Sequence, residues 1–81
     1  MIELRFYGPL AAIIGEEGHI EAEKCSDVAT LREVLAKQHS EVSEILQNER
    51  TRCFIDDRAV GDDAKLRAGI VVEFLPPVSG G

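Results

Sequence analysis

Residues 70–81 read IVVEFLPPVSGG, and the predicted fold depends mainly on this segment. Residues 70–75 alternate between two faces, as in a β-strand with one buried side, and the predicted buried face consists of Ile70, Val72 and Phe74. Pro76-Pro77 ends the strand, because proline has no N–H to donate to a sheet. We therefore predict a last strand followed by a free tail over residues 78–81.

The start of the chain carries a second strand of the same kind. Residues 2–7 alternate, with Ile2, Leu4 and Phe6 on the face predicted to be buried. Gly8-Pro9 breaks this strand, and residues 10–14 form a short apolar stretch of one or two helical turns that Gly15 closes. We predict a turn at residues 16–18 and another strand over residues 19–23, with Ile20 and Ala22 on one face. Together these strands predict an irregular hairpin.

One longer helix is predicted in the middle of the chain. Asp27 is a good N-cap, since its carboxylate can accept a hydrogen bond from an amide of the first turn, and the helix should run to about Gln38. Its apolar face, predicted to lie on the sheet, consists of Val28, Leu31, Val34 and Leu35. Residues 40–47 either extend this helix or start another one.

A third strand is predicted over residues 52–55, followed by a turn at residues 56–58 and a brief edge strand at Ala59-Val60. The order β-β-α-β-(β)-β predicts an α+β fold in which the first and last strands pair in parallel at the sheet centre. The ubiquitin-like β-grasp, a mixed sheet of about four or five strands with one main crossover helix, is the natural candidate. We predict a β-grasp domain over residues 1–75 and a flexible tail over residues 76–81.

Length and charge exclude several classes of protein. The 81 residues suffice for one domain, and no apolar run of about 18 residues is present to span a membrane. The start of the chain lacks the pattern of a signal peptide, so we expect a cytoplasmic location. The formal net charge of -6 would repel nucleic acid and anionic membranes. That charge would attract a partner with a basic face, although it is also compatible with solubility alone.

The potential ligands for metals and cofactors are scattered. Cys25 and Cys53 are far apart and lack the spacing of a zinc site, so we predict no bound metal and reduced thiols. Cys53 lies in a strand pattern typical of a core residue. Cys25 comes just before a helix start, where it is either an activated thiol or a simple filler. No phosphate-binding glycine motif is present, so we predict that this chain binds no cofactor itself.

The terminal Gly80-Gly81 pair is the feature that carries chemistry. An enzyme that modifies a terminal carboxylate must draw it into a narrow channel, where any Cβ would clash and glycine has none. A terminal carboxylate has a pKa of about 3.5 and is therefore an anion and a poor electrophile at neutral pH. Another protein must activate it, since this chain has no nucleotide-binding motif. On this feature alone, an inert frayed end remains an alternative.

The chain resembles the small subunit of molybdopterin synthase, the MoaD type, over its whole length. The most specific likeness is the ending Pro-Pro-Val-Ser-Gly-Gly, preceded by residues 66–69 and 72–75, LRAG and VEFL. The Phe6-Tyr7 strand end, the short helix closed by Gly15 and the helix start at residues 28–31 also match. The sequence departs from that family at Ile70, Asp56 and Leu75, which leaves the subfamily open.

This resemblance implies a sulfur carrier. An adenylyltransferase similar to ubiquitin-activating enzymes would use ATP to adenylate Gly81, and a sulfur donor would convert it to a thiocarboxylate. The tail, with Gly80, would then enter the large synthase subunit and donate sulfur to cyclic pyranopterin monophosphate for molybdenum cofactor biosynthesis. The assembly would be a heterotetramer whose catalytic lysines lie on the large subunit, so this chain is not an enzyme alone. The alternatives are a carrier for thiamine, cysteine or tRNA thiolation, a ubiquitin-like protein modifier, and an interaction domain with an inert tail.

A partner surface is expected beside the tail. An apolar patch next to the tail would suit docking, although apolar residues are also often exposed without a role. The predicted partner-binding residues are Tyr7, Ala59, Leu75, Pro76, Pro77, Val78 and Ser79.

Overall fold

A computed structural model describes residues 1–77, and residues 78–81 lie outside the described part. Five strands and three α-helices follow one another along the chain as β1 (Ile2–Phe6), α1 (Pro9–Ile14), β2 (Glu17–Ile20), α2 (Val28–Gln38), α3 (Ser43–Gln47), β3 (Arg52–Ile55), β4 (Arg58–Val60) and β5 (Val71–Leu75). Two single 3-10 turns lie at Ala22–Lys24 and Ser40–Val42. None of the helices within residues 1–77 has the length and apolar character that crossing a bilayer requires.

The strands form one mixed sheet in the order β2-β1-β5-β3-β4. The two ends of the chain meet at its centre, where β1 and β5 run parallel with Leu4 beside Val72 and Phe6 beside Phe74. All other neighbours are antiparallel. The structure therefore confirms the predicted α+β arrangement, with its central parallel pair and one main crossover helix.

Helix α2 packs on one face of this sheet for the reason that its sequence predicts. The Thr30 amide donates a hydrogen bond to Asp27 Oδ1 at 2.8 Å, so Asp27 caps the first turn. The Phe6 and Phe74 rings stack in the core with centroids 6.0 Å apart. The core also contains the side chains of Ile2, Leu4, Leu10, Ile20, Val28, Leu31, Leu35, Val42, Leu46, Ile70 and Val72.

The predicted second strand was wrong in its position. It runs from Glu17 to Ile20 rather than over residues 19–23, and Ala22 lies in a 3-10 turn instead. The chain has already turned back towards β1 at Gly15, whose φ of 97° suits glycine. The Phe6 amide then donates a hydrogen bond to the Glu16 carbonyl at 2.9 Å. The pairing therefore begins where the sequence predicted a turn.

Gly18 explains why the pattern of β2 misled the prediction. It pairs with Leu4, and a Cβ at Gly18 would lie 3.5 Å from Cε2 of Phe6. Glycine thus fills an inward position that an apolar side chain would otherwise have marked. Two smaller corrections concern boundaries: Arg58 belongs to β4 rather than to the turn, and β5 begins at Val71 although Ile70 is buried.

Candidate functional site

The candidate site is the sheet face that points away from α2. Alternation along the strands places one set of side chains there, which we call the open sheet face: Glu3, Arg5, Tyr7, Glu17, His19, Arg52, Phe54, Ala59, Val71, Glu73 and Leu75. Tyr7 and Leu75 expose 41% and 37% of their surfaces and lie together on this face. Val71 and Phe54 are half-buried beside them. The face is therefore part apolar and part charged.

The structure places Tyr7, Ala59 and Leu75 on this same face. Tyr7 directly follows β1, and Leu75 is the last residue of β5, the central strand. Ala59 lies on the edge strand β4, opposite Phe54 of β3. The first two thus lie at the sheet centre and Ala59 at its margin, while their role in partner binding stays a prediction.

The base of the predicted tail lies near the turn after β1. Pro76 is half-buried and Pro77 is exposed. A Cβ at Gly8 would lie 3.9 Å from Cγ of Pro76, within van der Waals distance. Gly8 has a φ of 60° and a ψ of -137°, a conformation that is favourable only for glycine. Val78, Ser79, Gly80 and Gly81 lie outside the described residues, so their predicted roles stay predictions.

Two polar contacts join side chains of the open sheet face. Arg5 contacts the Glu3 carboxylate with Nε at 3.0 Å and Nη2 at 2.9 Å. The Tyr7 hydroxyl donates a hydrogen bond to the Glu73 carboxylate. This bond raises the pKa of Tyr7, because the carboxylate favours the protonated phenol. The phenol therefore stays a neutral donor at physiological pH.

Glu73 and Phe54 are the site residues that sequence reasoning missed. Alternation placed Glu73 on the same strand face as Leu75, but its contact with Tyr7 spans 66 residues of sequence. A shallow groove of about 170 Å³ runs beside it, lined by Arg5, Asp56, Asp57, Val71 and Glu73. The register of the parallel β1–β5 pair could have predicted the contact between Tyr7 and Glu73, because it places Tyr7, directly after β1, beside the strand that carries Glu73.

Both cysteines are buried free thiols, and the core interpretation of Cys53 is confirmed. Burial raises the pKa of Cys53 to about 11 and also raises that of Cys25. Cys25 is therefore a filler rather than an activated thiol. Within residues 1–77, no three histidine, cysteine or acidic side chains are grouped so that they could hold a metal ion.

The sequence matches the model of the ThiS family over residues 4–81. This chain belongs to the ThiS family. The family is the ThiS/MoaD group of ubiquitin-like sulfur carriers. No curated protein matches the sequence significantly.

Solved structures resemble this ThiS-family protein along its length. Subunits 1 and 2 of molybdopterin-converting factor from Helicobacter pylori form a complex in which the matching chain is 28% identical, with a TM-score of 0.67 and coverage of 99% of this chain and 97% of that one. SAMP1 from Haloferax volcanii is 19% identical with a TM-score of 0.75, covering 99% of this chain and 98% of its own. The BexX/CysO complex of Amycolatopsis orientalis contains a chain 17% identical with a TM-score of 0.76, and both chains are covered fully at 100%.

These likenesses confirm the β-grasp fold of the ThiS-family protein. The five-stranded mixed sheet with its crossover helix is common to neighbours whose names refer to different systems. The family assignment therefore fixes the class of protein, a ubiquitin-like sulfur carrier, and leaves the pathway to be argued from the site.

Proposed function

We propose that this chain is the sulfur carrier subunit of molybdopterin synthase, with the Gly81 carboxylate as the group that carries sulfur. In its thiocarboxylate form it donates sulfur to cyclic pyranopterin monophosphate. The observation that carries this proposal is where on the domain the tail begins. Pro76-Pro77 follows the central strand β5 directly, beside the exposed side chains of Tyr7 and Leu75.

The geometry at that point supports a carried terminus. The base of the tail begins at a rigid place, because β5 is bonded to a neighbour on both sides and proline restricts its own φ. Pro76 is half-buried and lies near Gly8 in the turn after β1, so the first residue after β5 is held close to the domain. A partner that docks on the open sheet face would therefore receive the tail at a predictable place.

The chemistry requires partners. The sequence has no nucleotide-binding motif, so an adenylyltransferase must use ATP to activate Gly81, and a sulfur donor must then displace the adenylate. The large synthase subunit is the proposed partner that accepts the tail in its thiocarboxylate form, within a heterotetramer. The structure of subunits 1 and 2 from Helicobacter pylori, with 28% identity, supports a second subunit as the docking partner. We place these steps in the cytoplasm, where Cys25 and Cys53 would stay reduced.

The test is to rebuild the transfer from purified components. The chain is incubated with its adenylyltransferase, ATP and a sulfur donor, and mass spectrometry follows the replacement of one carboxylate oxygen by sulfur. The modified protein is then mixed with the large subunit and cyclic pyranopterin monophosphate, and dithiolene formation is measured. We expect both steps to proceed. A Gly81 carboxylate that stays unmodified would refute carrier function.

Three tail variants test the channel argument. Deleting Gly81, replacing Gly80 with tryptophan and fusing residues permanently beyond Gly81 should each abolish sulfur delivery while leaving the folded domain unchanged. Lys37→Ala is the control, because Lys37 is exposed on α2, outside both the tail and the open sheet face. Full delivery by the fused variant would contradict a terminal carboxylate as the reactive group.

The same assay separates the alternative carriers. A thiocarboxylate that forms on Gly81 but fails to supply the pterin would indicate a carrier for thiamine, cysteine or tRNA thiolation. Attachment of Gly81 to lysine side chains would indicate a protein modifier. The likeness to SAMP1 and to the BexX/CysO complex supports the fold alone, since both are below 25% identity.

A further inference from the structure

Glu73 is an unusual residue for the centre of a docking surface. It lies on the central strand, half-buried, in register with Arg5 on one side and with Phe54 on the other. Leu75 and Val71 are its neighbours on the same face of β5. A carboxylate thus lies between apolar side chains of β3 and β5 on one side and the charged Arg5 on the other.

Glu73 has one protein partner among residues 1–77, the Tyr7 hydroxyl. Arg5 lies directly opposite, but its guanidinium contacts Glu3 instead, at 2.9 and 3.0 Å. An ionised carboxylate has acceptor capacity for several hydrogen bonds, so one phenol leaves most of that capacity to water. Docking would remove this water.

We propose that Glu73, positioned by Tyr7, selects partners that place a lysine or arginine side chain at the centre of the docking surface. This inference rests on the proposed function, since it assigns the partner's chemistry at the same site. A partner whose docking surface is apolar at this point would bury the Glu73 carboxylate without a cation, which is strongly unfavourable. A cation there would pair with a carboxylate that already has a fixed orientation.

The surroundings of Glu73 favour a cationic group on the partner. Asp56 and Asp57 line the same groove, and the charge of Arg5, which also lines it, is paired with Glu3. The chain as a whole has a net charge of -6. An arriving lysine or arginine therefore meets an attractive field, whereas a carboxylate of the partner would be repelled.

The test compares three variants that fold alike. Glu73→Gln keeps the shape but removes the charge, and Glu73→Leu makes the centre apolar. Glu33→Gln is the matched control, because Glu33 is an exposed carboxylate on α2, outside the open sheet face. Binding of each variant to the purified large subunit of the same organism is measured by calorimetry at low and high salt, and urea unfolding checks that each is folded.

We expect Glu73→Gln to raise Kd by about tenfold or more and to reduce its salt dependence. Glu73→Leu should weaken binding further, and Glu33→Gln should change Kd by less than about threefold, as is typical of an exposed surface charge. Unchanged or tighter binding by Glu73→Leu would overturn the inference and indicate an apolar counter-surface. Absence of binding by the unmodified chain would instead overturn the proposed function, and with it this inference.

Discussion

Arg32 offers the sharpest test of how this fold is held together. It lies on α2, its side chain is only 10% exposed, and its guanidinium reaches the segment between α3 and β3. The acceptors are the carbonyls of Leu46 at 2.8 Å, Asn48 at 3.3 Å and Thr51 at 2.6 Å, and Asp62 Oδ1 at 3.0 Å. The guanidinium carbon also lies 5.7 Å from the centre of the Phe74 ring. One side chain therefore connects the helix to two loops and the sheet.

The expected cost of Arg32→Ala follows from these contacts. The bonds to Leu46 and Thr51 are buried, and a buried acceptor left without its donor costs about 1–3 kcal/mol. With partial hydration through the adjoining cleft, we expect a total loss of about 3 kcal/mol in the free energy of unfolding. A domain of this length should have a total of about 4–12 kcal/mol, so the variant folds with a small margin.

Urea unfolding followed by circular dichroism measures this loss, and thermal unfolding should show a fall in Tm on the order of 15 °C. Arg32→Met separates packing from hydrogen bonding, because it fills much of the volume without any donor. Arg67→Ala is the control on an exposed arginine and should cost less than about 0.5 kcal/mol. A loss below about 1 kcal/mol for Arg32→Ala, with an unchanged m-value, would refute the reasoning.

Three further predictions concern single groups. Burial raises the pKa of the Cys53 thiol from 9.0 to about 11, so the folded state favours the protonated thiol. This preference stabilises the folded state by on the order of 2 kcal/mol below pH 9, and the stabilisation should be lost between about pH 9 and 11. Cys53→Ala should flatten this part of the pH profile of stability measured by urea unfolding. The Thr30 amide lowers the pKa of the Asp27 carboxylate below 3.8, so the stability that the ionised cap adds is present above this pH and is lost on further acidification. Asp27→Asn should keep the cap but remove this pH dependence of stability. Identical acid-unfolding profiles of the two proteins would contradict the assignment. Asp56 and Asp57 have φ of 49° and 68° in the two-residue turn between β3 and β4, a conformation that glycine adopts more easily. Asp57→Gly should therefore raise the free energy of unfolding by about 0.5 kcal/mol and raise the urea midpoint with it. A lower midpoint would argue against backbone strain at this turn.

Patterns confined to one segment could be predicted from the sequence. The alternation in β1 and β5 and the cap and apolar face of α2 depend on neighbours within about four residues, so their residues identify them directly. Pro76-Pro77 likewise marks the end of β5 by its own covalent structure. The second strand was misplaced because Gly18 occupies a core-facing position without a side chain to mark it.

The fold class and the parallel pairing of the first and last strands could be predicted from the residues alone. The hydrogen bond from Tyr7 to Glu73 and the contacts by which Arg32 joins α2 to the α3–β3 segment could be identified only in the folded molecule. The physical reason is distance along the chain. A polar side chain carries no periodic signal for a partner 19 or 66 residues away, and strand register and helix packing must be in place before that partner is defined.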